Sequence, residues 1–216
     1  MDQSNLKYKN LTISGLPGAG SSTLGKALAK TLGWEYFSGG DFMRRYAVEK
    51  GLFDGQKKSH HDATVYNDDF DRQVDFGMRE TVQKKSGKIL DSWLSGFMTI
   101  HTPETLRILV FCSDDSVRGD RIVNRDNLSI ETAKKHIFER EQKNVSKWRL
   151  MYAKQWQEWV VGKKLLPASM KVWFWYPELY DLTIDTYKNS KEETLKIALQ
   201  ALGHYGKINY KSAFKE

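Results

Sequence analysis

The sequence contains one cysteine, Cys112, in 216 residues. A lone thiol closes no internal bridge, and no Cys/His cluster has the spacing of a structural zinc site, so a disulfide scaffold and a zinc finger are both excluded. There are four prolines, and no Pro/Gly/Ser-rich linker, repeat or low-complexity tract divides the chain. No stretch approaches the ~20 consecutive apolar residues of a membrane helix, and the opening MDQSNLKYKN lacks the apolar core of a secretory signal. These absences predict one soluble, cytoplasmic domain with no membrane partner.

Against these absences stand 40% hydrophobic and 28% charged residues, enough apolar surface to bury a core. Lysine and arginine total 34 against 27 acidic residues, a surplus of 34 − 27 = 7 that bears on solubility and steering before it bears on function. The chain is rich in aromatics, with seven Trp, ten Tyr and ten Phe. All the tryptophans except Trp34 lie at or beyond Trp93, so the second half is compositionally distinct. His60, His61 and Asp62 invite a metal reading, but neighbouring side chains on a helix do not face each other and no third ligand is evident.

Periodicity supplies the organisation. Residues 11–14 alternate apolar and hydroxyl side chains and run into Gly15-Leu16-Pro17-Gly18-Ala19-Gly20, a tight turn. Leu24, Ala27, Leu28, Thr31 and Leu32 then recur at helical spacing, with Gly33 where a C-cap belongs. Residues 34–37 form a second strand ending at Ser38-Gly39-Gly40-Asp41, where Asp41 caps the next helix. Residues 88–91, 106–111 and 182–185 read as three more strands, with helices between. That alternation predicts a parallel sheet covered on both faces, whose post-strand loops carry the chemistry.

The glycine loop is the most informative segment. Glycines let the backbone wrap an anion closely, and the helix that follows presents free N–H groups at its start. Gly15 and Gly20 match the outer glycines of G-x-x-x-x-G-K-[ST]; Ser22 holds the hydroxyl position and Ser21 replaces the lysine. The strand before and the helix after favour phosphate binding over a structural turn. Arg118, Arg121 and Arg125 fall on one face of a later basic helix, and Asp71 and Asp75 are one turn apart on another. A basic face is usually just solvated, so without the loop the arginines would have no assigned role; for the two aspartates a contact with the acceptor or with nearby arginines and a pair of exposed helical carboxylates are equally good accounts. Arg45 and Arg79 read as surface charges, and Cys112 as buried packing.

Taken in order, these segments resemble the P-loop nucleoside monophosphate kinases, specifically their archaeal-type cytidylate kinase-like branch, over roughly residues 11–202. The likeness rests on GLPGAGSST; on Phe37-Ser38-Gly39-Gly40-Asp41-Phe42-Met43-Arg44; and on Phe70-Asp71-Arg72-Gln73-Val74-Asp75. It extends to Val117-Arg118-Gly119-Asp120-Arg121-Ile122 with Arg125, to Glu139-Arg140-Glu141, and to Tyr180-Asp181-Leu182-Thr183-Ile184-Asp185-Thr186. The resemblance implies an α/β, three-layer P-loop NTPase fold with a five-stranded parallel sheet flanked by helices. It implies a single kinase domain over 1–216, with a monophosphate-binding region at about 40–85, a helical lid at 115–152 and an aromatic-rich insertion at 153–177. The implied activity is transfer of phosphate from ATP, with Mg²⁺, to CMP or dCMP.

By the same resemblance, Gly15, Gly18, Ala19, Gly20, Ser21, Ser22 and Thr23 hold the donor, with backbone amides from Gly18 to Ser22 around its phosphates. Ser22 and Asp91 serve the metal; for Asp91, a carboxylate capping the next turn is an equal alternative. Asp41, Arg44, Asp71, Asp75 and Trp93 face the acceptor, and Arg121, Arg125 and Arg140 supply transition-state charge. Two departures stand out. Asp91-Ser92-Trp93 carries tryptophan where the family has arginine, and Lys147-Trp148 replaces an arginine-aromatic pair. They leave open a same-fold kinase with another acceptor, or a nucleotide-binding protein with weakened transfer that serves as a partner or nucleic-acid-binding module. The expected partners are small nucleotides, not nucleic acid, with the insertion as a possible oligomer contact.

Overall fold

The computed structural model describes residues 6–51, 63–127 and 129–215; the His60-His61-Asp62 run lies outside them. Five strands form one parallel sheet: β1 (Asn10–Ser14), β2 (Glu35–Ser38), β3 (Lys88–Asp91), β4 (Thr105–Phe111) and β5 (Leu182–Asp185). Their order is β2-β3-β1-β4-β5. Ile13 is in register with Asp91 on one side and Ile108 on the other, so the chain leaving β1 emerges beside the end of β3. The predicted architecture is the one observed.

The alternation in β1 works as the sequence implies. Leu11 and Ile13 face one side of the sheet and join Ile89, Leu106, Ile108 and Val110 in a core with α1 (Ser21–Leu32) and α8 (Lys191–Leu202). Thr12 and Ser14 face the other side, where their hydroxyls meet Thr99, at 3.2 Å, and Ser95, at 3.3 Å. Ser95 lies in the short α4 (Ser95–Met98). Buried hydroxyls demand partners, and this pairing fixes how α4 sits on the strand. Helix α1 ends at Gly33 in the left-handed conformation, φ 70°, as its sequence predicts.

One cap differs from expectation. The N-cap of α2 (Gly39–Glu49) is Ser38, whose hydroxyl accepts from the amide of Asp41, so Asp41 sits in the first turn and does not cap the helix. Serine is as good a cap as aspartate, and here it comes earlier in the chain. Arg79, on α3 (Asp68–Lys84), is also no surface charge. It donates to the carbonyls of Met98 and Ile100 at 2.7 and 2.9 Å and lies against the ring of Trp159. Cys112 is buried, as expected.

The basic stretch forms α5 (Asp115–Asp126) and α6 (Ile130–Met151). The aromatic insertion continues it as α7 (Ala153–Trp156), a π-helical turn (Gln157–Val161) and an irregular return. Trp156, Phe174 and Trp175 are buried, in a second core with Phe97, Met98, Trp148 and Tyr152. Burying side chains of this size contributes about 2–3 kcal/mol each, so the insertion is part of the wall of the domain. Among the described residues, no helix is long and apolar enough to cross a membrane.

Candidate active site

The loop between β1 and α1 is shaped by steric necessity. A Cβ on Gly15 would lie 2.7 Å from the carbonyl oxygen of Val110, and one on Gly18 would lie 2.5 Å from that of Arg118. Gly18 and Gly20 have φ of 81° and 97°, where only glycine is unstrained. The result is a concave loop that leads into α1, whose first-turn amides have no intrahelical acceptors. Ala19 departs from its expected role. Its N–H donates to Leu16 at 3.0 Å and its methyl is buried, so this amide closes the loop's own turn instead of facing a phosphate.

Beside the loop stands Asp91, at the end of β3 and 5% exposed. Its Oδ2 accepts from Ser22 Oγ at 2.6 Å and from Tyr36 Oη at 2.7 Å. Burial raises its carboxyl above the ordinary range, and hydrogen bonds from Ser22, Tyr36 and Ser21 oppose that rise. Tyr36 is raised in turn by burial and by the neighbouring carboxylate. Its part is not visible in the sequence, because the contact spans 55 residues.

Helix α5 reaches the loop through Arg121. Arg121 donates to Gly18 O at 3.2 Å, to Thr186 Oγ1 at 2.8 Å and to Thr186 O at 2.9 Å, and Thr186 donates to Ala19 O. Arg125 pairs with Asp126 at 2.8 Å. Arg140, from α6, lies 5.1 Å over the ring of Trp93. One cleft of about 460 Å³ is lined by the glycines and hydroxyls of the loop, Thr23, Asp91 and Trp93, together with Arg44, Arg121, Arg125 and Arg140. The cleft therefore brings every predicted donor residue except Ala19 together with the whole arginine set.

Arg44, Trp93 and Arg140 also line a smaller adjoining cavity, of about 90 Å³, that ends at Asp71 and Asp75. Arg44 pairs with Asp41 across one turn. Burial raises Asp41, but the hydrogen bond and charge of Arg44 outweigh it and hold the carboxyl below its usual range. The two aspartates on α3 are both hydrogen-bonded within the protein, Asp71 buried and Asp75 half-buried. Asp71 is 4% exposed and bound to Lys147 at 2.7 Å, and burial raises its carboxyl despite that pairing. Asp75 accepts from Tyr152 Oη at 2.6 Å. Desolvation, reinforced by the charge of Asp71, pushes Asp75 up to about 7 against the pull of Tyr152 and Lys147.

Comparison with known proteins agrees with this geometry. The cytidylate kinase-like family model matches residues 10–188, which span the loop, Asp91, α5, α6 and β5. The chain is 28% identical over 195 residues to the cytidylate kinase of Haloarcula marismortui, covering 90% of each chain. It is 32% identical over 192 residues to that of Methanothrix thermoacetophila, covering 89% of this chain and 96% of the relative. In fold it is similar to a crystal structure of an uncharacterized protein from Eubacterium ventriosum ATCC 27560, with TM-score 0.60 and 12% identity over 90% of this chain and 98% of that one. With loop, carboxylate and arginine-lined cleft in one continuous span of the match, the chain belongs to the cytidylate kinase-like family and is a nucleoside monophosphate kinase.

Proposed function

We propose that the chain transfers the terminal phosphoryl group of ATP to CMP or dCMP. The observation that carries this reading is the continuity of the two cavities, with the glycine loop at one end, the carboxylates of Asp71 and Asp75 at the other, and Arg44 and Arg140 shared between them. Two anionic phosphates meet where the arginines converge, and a base occupies the smaller cavity.

Phosphoryl transfer asks the protein mainly for alignment and for positive charge shielded from water. Gly18, Gly20 and the first turn of α1 cradle the donor phosphates. Arg44 holds the acceptor phosphate, exchanging part of its pairing with Asp41 for it. Arg121, Arg125 and Arg140 stabilise the charge on the transferring group. A hydroxyl converging with a buried carboxylate, as Ser22 does with Asp91, suits Mg²⁺, which keeps several waters and takes its remaining ligands from phosphate. When bound, Mg²⁺ would neutralise charge on the donor phosphates; Ser22 would hold it directly and Asp91 through water. At the base end, the second oxygen of Asp75 accepts the exocyclic amine of cytosine. Uracil presents a carbonyl at that position and is disfavoured by an ionised carboxylate.

The test is ADP release with ATP and Mg²⁺ against CMP, dCMP, UMP, AMP and GMP, with Ser22→Ala as the control. Turnover with CMP or dCMP that falls in the control is the expected outcome. Turnover with another acceptor alone overturns the pyrimidine assignment, and silence with every acceptor despite ATP binding overturns the transfer reading.

A further inference from the structure

The insertion and the acceptor wall share a contact that the proposed reaction does not by itself explain. Trp93 follows Asp91 by two residues and lines both cavities. Its backbone carbonyl accepts the indole N–H of Trp175, from the insertion, at 2.9 Å. The Trp93 ring meets Trp148 edge-on, with centroids 5.3 Å apart at 75°, and Trp175 with centroids 6.2 Å apart at 67°. The side of the indole toward the lid carries Arg140. Trp175 is itself buried and lines neither cavity.

We infer that Trp175 is a positioning residue for the acceptor site: its N–H fixes the carbonyl, and through it the ring, of Trp93, which in turn sets where Arg140 stands over the acceptor. The inference rests on the reading of Trp93 and Arg140 as the acceptor wall. A carbonyl inside an apolar cluster requires a donor, and an indole has a single N–H to give. That donor is held rigidly. Trp173 packs on Trp175 with centroids 4.8 Å apart, Phe174 is fully buried behind it, and Arg149 donates to Val172 O at 2.8 Å. With Trp175 in place, Trp93 has one orientation in which its ring both walls the cavity and receives a guanidinium. Without the N–H, the carbonyl turns to find another donor and the ring turns with it.

Trp175→Phe removes the N–H and keeps an aromatic ring. The expected result is a rise of about tenfold in the KM for CMP, the scale of one buried hydrogen bond. The KM for ATP should stay within about twofold, since the glycine loop is untouched. Trp93→Phe should raise the KM for CMP as well, and the double variant should be no worse than Trp93→Phe alone, because both changes act through one ring. Trp159→Phe, which perturbs the same aromatic cluster through Phe76, Phe97 and Arg79 without touching Trp93 or Trp175, serves as the packing control and should leave both constants near wild type. An unchanged CMP KM in Trp93→Phe overturns the acceptor-wall reading itself. A raised value there with an unchanged one in Trp175→Phe overturns only the positioning role, as does an equal rise in both KM values with a lowered melting temperature in Trp175→Phe. If Trp175→Phe does not fold, the assigned indole N–H resonance of the wild-type protein decides. A shift on CMP and not on a non-hydrolysable ATP analogue supports the inference, and no shift on CMP overturns it.

Discussion

The two ends of the cleft, proposed above as the donor end and the acceptor end, are built from different materials. The donor end is backbone: glycines with positive φ, first-turn amides and a few hydroxyls, all within one short stretch of chain. The acceptor end is side chain: arginines, aspartates and indoles brought together from α2, α3, α6, the loop after β3 and the insertion. A backbone site recognises what all nucleoside triphosphates share, their phosphates. A side-chain site recognises what differs, the base and its edge. The contrast also means that substitutions at the two ends should fail in different ways.

The largest expected effect is on stability at the acceptor end. Asp71→Asn leaves the ammonium of Lys147 buried without its closest carboxylate and should cost about 3–5 kcal/mol in chemical denaturation. A loss below about 1 kcal/mol would show that the pair is better solvated than its burial implies. At the donor end the effect is on binding. Gly18→Ala drives a Cβ against the Arg118 carbonyl at a φ that disfavours alanine, and should lower ATP affinity by more than about a hundredfold while CMP affinity persists. Calorimetry with each nucleotide separates the two. Ser22→Ala should reduce kcat by roughly ten- to a hundredfold and raise the Mg²⁺ concentration needed for half-maximal rate, with the CMP KM little changed.

The smallest and most discriminating effect concerns pH. Asp75, facing Asp71, Lys147 and Tyr152, is raised from 3.8 to about 7. The folded protein therefore retains a proton that the unfolded chain releases, and the stability contributed by this group is present below about pH 4 and lost as pH climbs to about 7. Acceptor binding should move the other way, with the CMP KM falling severalfold from pH 6 to pH 8 as the carboxylate ionises. Asp75→Asn should flatten both slopes. If the wild-type KM is already flat, Asp75 is not a base contact, whatever its effect on stability.

The same division governs what could be read from the chain alone. The donor end was legible because its determinants are local: alternation in residues 11–14, the glycine spacing, and Gly33 at the end of α1. The succession of strands along the chain and the basic helices after β4 were legible for the same reason, and so was Asp91 at its strand end. The acceptor end was legible only as a list of residues. Lys147 finds Asp71 across 76 positions, Tyr152 finds Asp75 across 77, and Trp175 finds Trp93 across 82. No local period encodes such pairs. For two carboxylates one turn apart on a helix, the sequence therefore left a contact in the site and a solvated face equally open, and the structure lines a cavity with both; Arg79 read as surface when it satisfies two carbonyls.

The placement of the indoles has an optical consequence. Trp34 packs into the core on the α1 side of the sheet, whereas Trp93, Trp148, Trp156, Trp159, Trp173 and Trp175 belong to the core cluster behind the acceptor cavity. Six of the seven indoles therefore lie in one core cluster. On the proposed reading, CMP should therefore change the intrinsic emission more than a non-hydrolysable ATP analogue does.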